Sequence, residues 1–308
     1  MRDFMVRLFL DSPVDSLRLS VAVFVPESAP RAVIQLVHGM CGCKERYFPL
    51  MEFLASRGFV CVVNDHRGHG ESVRRQEDLG YFHPDGAFAL VEDMKMITDW
   101  ARNNYPSLPV FMIAHSMGSM AARVYMKRYD YLLSGVVLCG SPSWNPLSFI
   151  GRLLMSFLCI FDGGRSRPAI IQRMMSDSYN RKFRSEGSGA WTCSDPVIRQ
   201  SFMSNPRCNF FLTSNGAATV LELMRQTYSM RGWGMKNPQL PVMFLAGEDD
   251  PCMISRSHFR RSVNHLRSVG YADVSDIIYP EMRHEVLNER NKIRVWRDIL
   301  AFINARIA

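Results

Sequence analysis

The amino-acid sequence predicts an α/β fold in which a mostly parallel sheet is covered by helices on both faces. Short apolar segments rich in β-branched residues alternate with longer segments in which apolar residues recur at helical spacing. Such alternation is typical of βαβ units, in which a helix connects two parallel strands. The 308 residues, 47% of them hydrophobic, are enough to bury one large core or two modest ones.

Eight segments are predicted as strands. The first two, at about residues 4 to 10 and 17 to 25, are separated only by the turn DSPVDS. This turn is too short for a crossover helix, so the two strands should pair antiparallel at the edge of the sheet. The other six strands are AVIQLV, FVCVVN, VFMIA, GVVLC, PVMFLA and VSDIIY.

Three helices are predicted from apolar residues that share one helical face. Their faces consist of Leu90, Met94, Ile97 and Ala101; of Phe259, Val263 and Leu266; and of Ile293, Trp296, Leu300 and Ile303.

The alternation of strands and helices stops after the sixth strand. Residues 141–237 are therefore predicted to form a helical cap, inserted into a core of residues 1–140 and 238–308. The insertion should leave the sheet at the carboxyl ends of the strands, where open α/β sheets bind ligands.

Charge and composition narrow the class of protein. The 37 Lys and Arg outnumber the 29 Asp and Glu, for a net charge of +8, but no basic segment interleaved with aromatic residues supports nucleic-acid binding. The longest apolar stretch, residues 147–161, contains Arg152 and is shorter than the roughly 20 residues that cross a bilayer. With no leader pattern and with cysteines placed inside apolar strands, the sequence favours a soluble cytoplasmic protein.

The clearest local pattern surrounds Ser116. An apolar strand leads into Ala114-His115-Ser116-Met117-Gly118 and directly on into a helix, the context of a nucleophile elbow. Small residues flank the serine because the turn has no room for bulky side chains, and alanine meets this requirement where glycine is usual. Ser116 is thus the candidate nucleophile, and the alternative is a serine that merely caps the helix.

A serine hydroxyl needs a base to take its proton and a carboxylate to orient that base. Asp249, Asp250 and Pro251 follow one late strand, and His284 follows the next. The resulting chain order of serine, aspartate and histidine is that of α/β-hydrolases. Asp249 is the alternative acid, and Asp250 is preferred because Pro251 fixes the backbone after it.

Five motifs are spread along the chain: HGM at 38–40, DHRGHGES at 65–72, AHSMGS at 114–119, GEDDP at 247–251 and MRHEVLNE at 282–289. Together they resemble the α/β-hydrolase group of monoacylglycerol lipases and bacterial lysophospholipases, which is related to aminopeptidase-like serine hydrolases. The resemblance implies a mostly parallel eight-stranded sheet of the α/β-hydrolase fold. It also implies Ser116 as nucleophile, Asp250 as acid and His284 as base.

The same resemblance implies an oxyanion hole formed by the backbone N–H groups of Met40 and Met117. Physical reasoning agrees, because two preorganised donors beside the elbow can stabilise the negative oxygen of a tetrahedral intermediate. Acyl transfer by such a site needs no metal and no cofactor.

The sequence Cys41-Gly42-Cys43-Lys44 departs from similar proteins, which tend to carry an acidic residue or a histidine in this loop. No second cysteine pair at zinc spacing accompanies it, so a metal site is not expected. The two thiols could sense oxidants, and the alternative is that they simply pack or face solvent.

An amphipathic helix is predicted within the cap, with apolar residues at Ile150, Leu153, Leu154, Phe157, Leu158 and Phe161. Phe157, Leu158 and Phe161 are predicted to line a channel for an acyl chain, and the helix to make transient contact with a membrane surface. The alternative is that it packs on the rest of the cap.

The sequence therefore predicts a serine hydrolase that cleaves carboxylic esters of lipid-like substrates, such as monoacylglycerols or lysophospholipids, through an acyl-enzyme. Two alternatives remain: a peptidase or amidase of the related aminopeptidase group, and a non-catalytic binding protein with the α/β-hydrolase fold.

Overall fold

A computed structural model describes residues 5–168 and 178–307. Eight strands form one sheet in the order β1-β2-β4-β3-β5-β6-β7-β8. Their bounds are β1 (Met5–Asp11), β2 (Arg18–Phe24), β3 (Ala32–Val37), β4 (Phe59–Asn64), β5 (Val110–His115), β6 (Gly135–Cys139), β7 (Val242–Gly247) and β8 (Val274–Tyr279).

The predicted pairing is confirmed. β1 and β2 pair antiparallel at one edge of the sheet, β2 also runs antiparallel to β4, and the six strands β3 to β8 are parallel to one another. The parallel strands β3 to β7 are buried along their whole length, which explains their continuous apolar sequences.

Helices cover both faces of the sheet. They are α1 (Phe48–Ala55), α2 (Gly86–Asn104), α3 (Met117–Tyr129), α4 (Leu147–Asp162), α5 (Pro196–Ser204), α6 (Ser214–Tyr228), α7 (Arg256–Ser268) and α8 (Lys292–Asn304). Alternate strand residues belong to two apolar clusters, one packed with α2, α3 and α7 and the other with α1 and α8.

The predicted apolar faces of α2 and α7 are confirmed, since all their residues are buried in one cluster. The predicted face of α8 is partly wrong. Trp296 and Ile303 are buried, but Ile293 is 41% exposed and Val295 and Ile299 are buried instead. Apolar residues on α8 fit two overlapping helical stripes, and packing on the sheet selects the stripe that contains Val295 and Ile299.

The chain between β6 and β7 contains α4, α5 and α6, and the structure describes no strand within it. In α6, Leu223 is fully buried among residues of the sheet and of α3. The assignment of residues 141–237 as a separate cap remains a prediction. Within the part of the chain described here, no helix is long and apolar enough to span a membrane.

Gly118, in the first turn of α3, allows that helix to lie directly against the end of β3. A Cβ at this position would lie 2.5 Å from the carbonyl oxygens of Val37 and His38, too close for backbone atoms that cannot rotate away. We expect Gly118→Ala to lower the free energy of unfolding by roughly 1–3 kcal/mol, measured by urea denaturation.

Gly151→Ala in α4 is the matched control, because its Cβ would meet only the flexible side chain of Leu221, at 3.3 Å. Alanine is also the better helix former, so this variant should be neutral or more stable. Equal losses in the two variants would contradict the explanation.

Candidate active site

Ser116 lies in a strained turn between β5 and α3. Its backbone angles are φ 53° and ψ −120°, a conformation that residues other than glycine rarely adopt. The turn is held by hydrogen bonds from the Ser116 N–H to the carbonyl of Cys139, at 2.9 Å, and from the Ser119 hydroxyl to the Ser116 carbonyl, at 2.6 Å. Strain that the surroundings maintain in this way is typical of functional sites.

The loop after β3 packs closely against this turn at Gly39. A Cβ on Gly39 would lie 2.8 Å from Nδ1 of His115 and 3.1 Å from Cβ of Ser116. Gly39 is therefore required for close approach, and it directly precedes Met40, which lines the cavity beside the serine.

The structure brings Ser116, Asp250 and His284 together. Nε2 of His284 lies 2.7 Å from Oγ of Ser116, and Nδ1 lies 3.0 Å from each carboxylate oxygen of Asp250. Asp250 also accepts a hydrogen bond from the N–H of Cys252, at 2.8 Å. A proton on Nδ1 satisfies the carboxylate, so Nε2 is free to accept the serine proton, the arrangement that nucleophilic catalysis requires.

Asp249, the alternative acid, points elsewhere. Its carboxylate forms an ion pair with Lys182 on the surface, whereas the side chain of Asp250 is buried against His284. The geometry therefore favours Asp250 as the partner of the histidine.

Burial and charge set the protonation of the two histidines at the site. Burial lowers the pKa of His284, but the Asp250 carboxylate more than offsets this effect, and the pKa lies well above its ordinary value. Burial, assisted by the nearby His284, lowers the pKa of His115 to about 4. His115 is thus neutral, and its ring packs 4.9 Å from that of His284.

The candidate oxyanion donors flank the serine. Met117 begins α3, and Met40 lines the cavity above Ser116. Among the described contacts, neither backbone N–H donates to a protein acceptor, so both remain available to a ligand. Their role as an oxyanion hole remains a proposal.

Two buried histidines that the sequence did not single out hold the loop of Met40. Nδ1 of His38 lies 2.7 Å from the carbonyl oxygen of Gly39, and Nε2 of His69 accepts the N–H of Cys41 at 3.1 Å. Burial lowers the pKa of each to about 3, so both act as neutral hydrogen-bonding groups. Both histidines lie inside sequence motifs, His38 in HGM and His69 in DHRGHGES. This was the sequence signal from which they could have been identified.

A cavity of about 320 Å³ lies over Ser116. Its walls combine the loop after β3 with residues from the chain between β6 and β7, which are mostly apolar: Trp191, Phe202, Met203, Phe210, Phe211 and Leu212. The ring of Trp191 lies 5.1 Å from that of His284. These residues fall in short helices and irregular loops, where no periodic pattern marks them in the sequence.

The prediction that Phe157, Leu158 and Phe161 line the substrate channel is wrong for this structure. None of them borders the cavity; Phe157 is 56% and Phe161 74% exposed, and Leu158 is half-buried against the core. The physical reason is that α4 uses Met155 for its inward contact, which leaves much of its broad apolar stripe facing solvent.

A larger open groove of about 720 Å³ lies elsewhere, between Trp144, Tyr228 and His265. His265 is held by the carbonyl of Tyr228 and by Arg123 rather than by a serine. His258, which also lines the groove, lies 2.8 Å from the hydroxyl of Ser255, but no described contact joins it to a carboxylate. The smaller cavity holds a histidine bonded to both a serine and an aspartate, and it is therefore the candidate active site.

Asp250, Cys252 and His284 also form a cluster whose donor atoms lie within 4.8 Å of one another. The 3.0 Å separation of His284 from Asp250 is that of a direct hydrogen bond, and burial raises the pKa of the Cys252 thiol. Nδ1 of His284 is already engaged by Asp250, and its Nε2 by Ser116 at 2.7 Å, so the cluster fits a serine–histidine–aspartate site better than a metal centre.

The sheet, the strained serine and the geometry around it define the chain as an α/β-hydrolase. Residues 28–291 match the family described as serine aminopeptidase, S33, and the chain belongs to this family.

Similar proteins include ester hydrolases. A monoacylglycerol lipase from Mycolicibacterium smegmatis is 27% identical over 294 residues, 94% of each chain. A carboxyl esterase from Bacillus coagulans, solved with glycerol, superposes over all of both chains with a TM-score of 0.90 and 26% identity. A monoglyceride lipase from Saccharomyces cerevisiae shares the fold, with a TM-score of 0.78 and 17% identity over all of this chain and 97% of its own.

The raised pKa of His284 predicts the acid limb of the pH profile. A protonated His284 cannot accept the serine proton, so activity should be lost as the pH falls through its pKa. We expect kcat/KM for a neutral ester to rise with pH, with a midpoint above the ordinary histidine value of about 6.5. A midpoint below that value, or a flat profile across it, would contradict the assignment of His284 as base.

Proposed function

We propose that this protein is a serine hydrolase that cleaves carboxylic esters of lipid-like substrates, monoacylglycerols or lysophospholipids, through an acyl-enzyme. The observation that carries the proposal is Oγ of Ser116, 2.7 Å from Nε2 of His284, at the base of a largely apolar cavity. The similarity to lipases and to a carboxyl esterase supports ester hydrolysis.

In the proposed reaction, His284 accepts the proton of Ser116 as the serine oxygen attacks the ester carbonyl. The N–H groups of Met40 and Met117 stabilise the negative oxygen that forms, and each such donor contributes about 3–4 kcal/mol to transition-state stabilisation. His284 then gives its proton to the departing alcohol. Water repeats the sequence on the acyl-enzyme, and Asp250 holds the imidazole in its required tautomer throughout.

The cavity walls support an acyl chain as the bound group. Burial of each methylene contributes about 0.8 kcal/mol, so the walls formed by Phe202, Phe210 and Leu212 can bind a chain without polar contacts. This supports lipid-like esters as the substrate class, and it leaves the choice of head group to the polar residues near the serine.

The peptidase alternative is less well supported. An aminopeptidase needs an anionic group for the substrate's ammonium, and Glu285 is the single carboxylate among the described residues that line the cavity. Glu285 is already paired with Arg46, which neutralises its charge.

We expect Ser116→Ala to lower kcat/KM for monoacylglycerol by roughly 10⁴-fold or more, the scale seen when a serine nucleophile is removed. Ser188→Ala is the control, because Ser188 lines the same cavity without contacting His284. Wild type and both variants should be assayed on acylglycerols, lysophospholipids and aminoacyl amides.

Activity that survives in Ser116→Ala would refute the mechanism, and preference for the amides would favour the peptidase. A wild-type protein that neither turns over any member of the panel nor reacts with a fluorophosphonate probe would favour the non-catalytic binding protein.

The exposed face of α4 supports transient contact with a membrane surface. The large apolar side chains exposed there are Leu147, Phe149, Ile150, Leu153, Leu154, Phe157, Ile160 and Phe161. Such an amphipathic helix can lie in the interface of a bilayer, and the net charge of +8 favours anionic lipid. This contact would deliver lipid substrates to an enzyme that otherwise meets them only as monomers or micelles.

We expect the double substitution Ile150→Asp and Ile160→Asp to reduce cosedimentation with anionic phospholipid vesicles at least about tenfold, because two charges would replace exposed apolar contacts. Hydrolysis of a water-soluble short-chain ester should be unchanged. Val197→Asp on α5, which is equally exposed, is the control and should bind as wild type. Equal binding by all three proteins would contradict the assignment.

A further inference from the structure

The thiol of Cys43, in the loop after β3, lies against a thiol from a distant part of the chain. Its Sγ is 3.4 Å from Sγ of Cys208, 165 residues further along the sequence. Cys43 is fully buried and Cys208 is 4% exposed. The sequence had suggested Cys41 and Cys43 as the pair, but the structure gives Cys43 a different neighbour.

The two thiols connect two walls of the candidate active site. Cys43 lies three residues after Met40, the candidate oxyanion donor, and Cys208 directly precedes Asn209–Leu212, which line the cavity. The walls already touch beside the pair, where the N–H of Asn209 donates to the carbonyl of Cys41 at 2.9 Å. A covalent bond between the sulfurs would join the two loops.

The surroundings of Cys208 favour its reaction. The hydrogen bond with Cys43 lowers the pKa of the Cys208 thiol; burial opposes this effect, and the cation of Arg46 adds to the lowering. Cys43 shifts in the opposite direction, because the same hydrogen bond and burial raise the pKa of its thiol. Thiolate attack by one cysteine followed by resolution by a neighbouring thiol is the usual route to a disulfide.

We propose that Cys43 and Cys208 form a site of reversible oxidation by hydroperoxides. The Cys208 thiolate attacks the peroxide oxygen, the O–O bond breaks, and the products are Cys208 sulfenic acid and, after protonation, water or an alcohol. The Cys43 sulfur then attacks the sulfenic sulfur, loses its proton and releases water. The two thiols are oxidised to one disulfide, and one peroxide is reduced.

Closing the distance between the two sulfurs should change the rate of ester hydrolysis. This expectation rests on the proposed function. A disulfide needs its sulfurs about 2.0 Å apart, so the pair must close by more than 1 Å from the present 3.4 Å. A displacement of about 1 Å at a catalytic group can cost on the order of 100-fold in rate. Oxidation should therefore lower kcat/KM for a long-chain ester at least about tenfold.

The other cysteines provide an internal comparison. Cys61 and Cys139 are buried within strands, and Cys159 on α4 is half-buried and therefore more accessible than either thiol of the pair. If accessibility alone controlled oxidation, Cys159 and Cys41, which is also half-buried, would react first. Reaction of the buried pair instead would reflect the contact between its sulfurs.

The test is treatment of the full-length wild-type protein with hydrogen peroxide, followed by thiol titration, intact mass measurement and non-reducing peptide mapping. We expect two thiols and two hydrogen atoms to be lost per chain, with a cross-link between the peptides containing Cys43 and Cys208, and full reversal by dithiothreitol. Cys43→Ser and Cys208→Ser should each prevent the cross-link, whereas Cys159→Ser should form it as wild type does.

Three results would overturn the proposal: a cross-link between other cysteines, a disulfide between two chains, or thiols that remain unchanged. All three are measured on the wild-type protein, so the test holds even if a serine variant fails to fold. Mass and mapping do not depend on ester hydrolysis, so an inactive protein that still forms the cross-link would refute the proposed function alone. An active protein that forms the cross-link without loss of rate would refute the regulatory effect.

Discussion

Ser116 holds a strained backbone conformation, and the other parts of the site are arranged around it. A serine at positive φ between a buried strand and a helix presents its hydroxyl above the sheet, but it holds that conformation only if its neighbours leave room and supply hydrogen bonds. Gly39 and Gly118 leave the room, and Cys139 and Ser119 supply the bonds. The same crowding that excludes larger side chains brings the loop of Met40 to the serine.

Sheet topology explains how residues far apart in sequence meet at this turn. β3, β5, β6, β7 and β8 are successive neighbours in the parallel part of the sheet, so the loops at their carboxyl ends share one edge. Met40 follows β3, Ser116 follows β5, Asp250 follows β7 and His284 follows β8. Four of these strands therefore each place one residue of the site, and the chain that follows β6 provides most of the apolar walls of the cavity.

Local patterns allowed much of this arrangement to be predicted from the sequence. Short apolar segments rich in β-branched residues identified the eight strands, and loops directly after strands identified the residues that the structure brings together. Exposure on α4 could not be predicted, because a broad apolar stripe looks the same whether it faces a cavity or solvent. The contact between Cys43 and Cys208 was also beyond reach, since it depends on how an irregular segment folds back over the core.

Rapid acid quench with mass spectrometry shows whether Ser116 becomes covalently acylated during ester cleavage. The protein is mixed with a p-nitrophenyl ester, quenched in the first turnover and digested. We expect a burst of about one p-nitrophenolate per chain and the acyl group on the peptide that contains Ser116. Steady turnover with no acylated peptide, or an acyl group on a different residue, would refute acylation of Ser116.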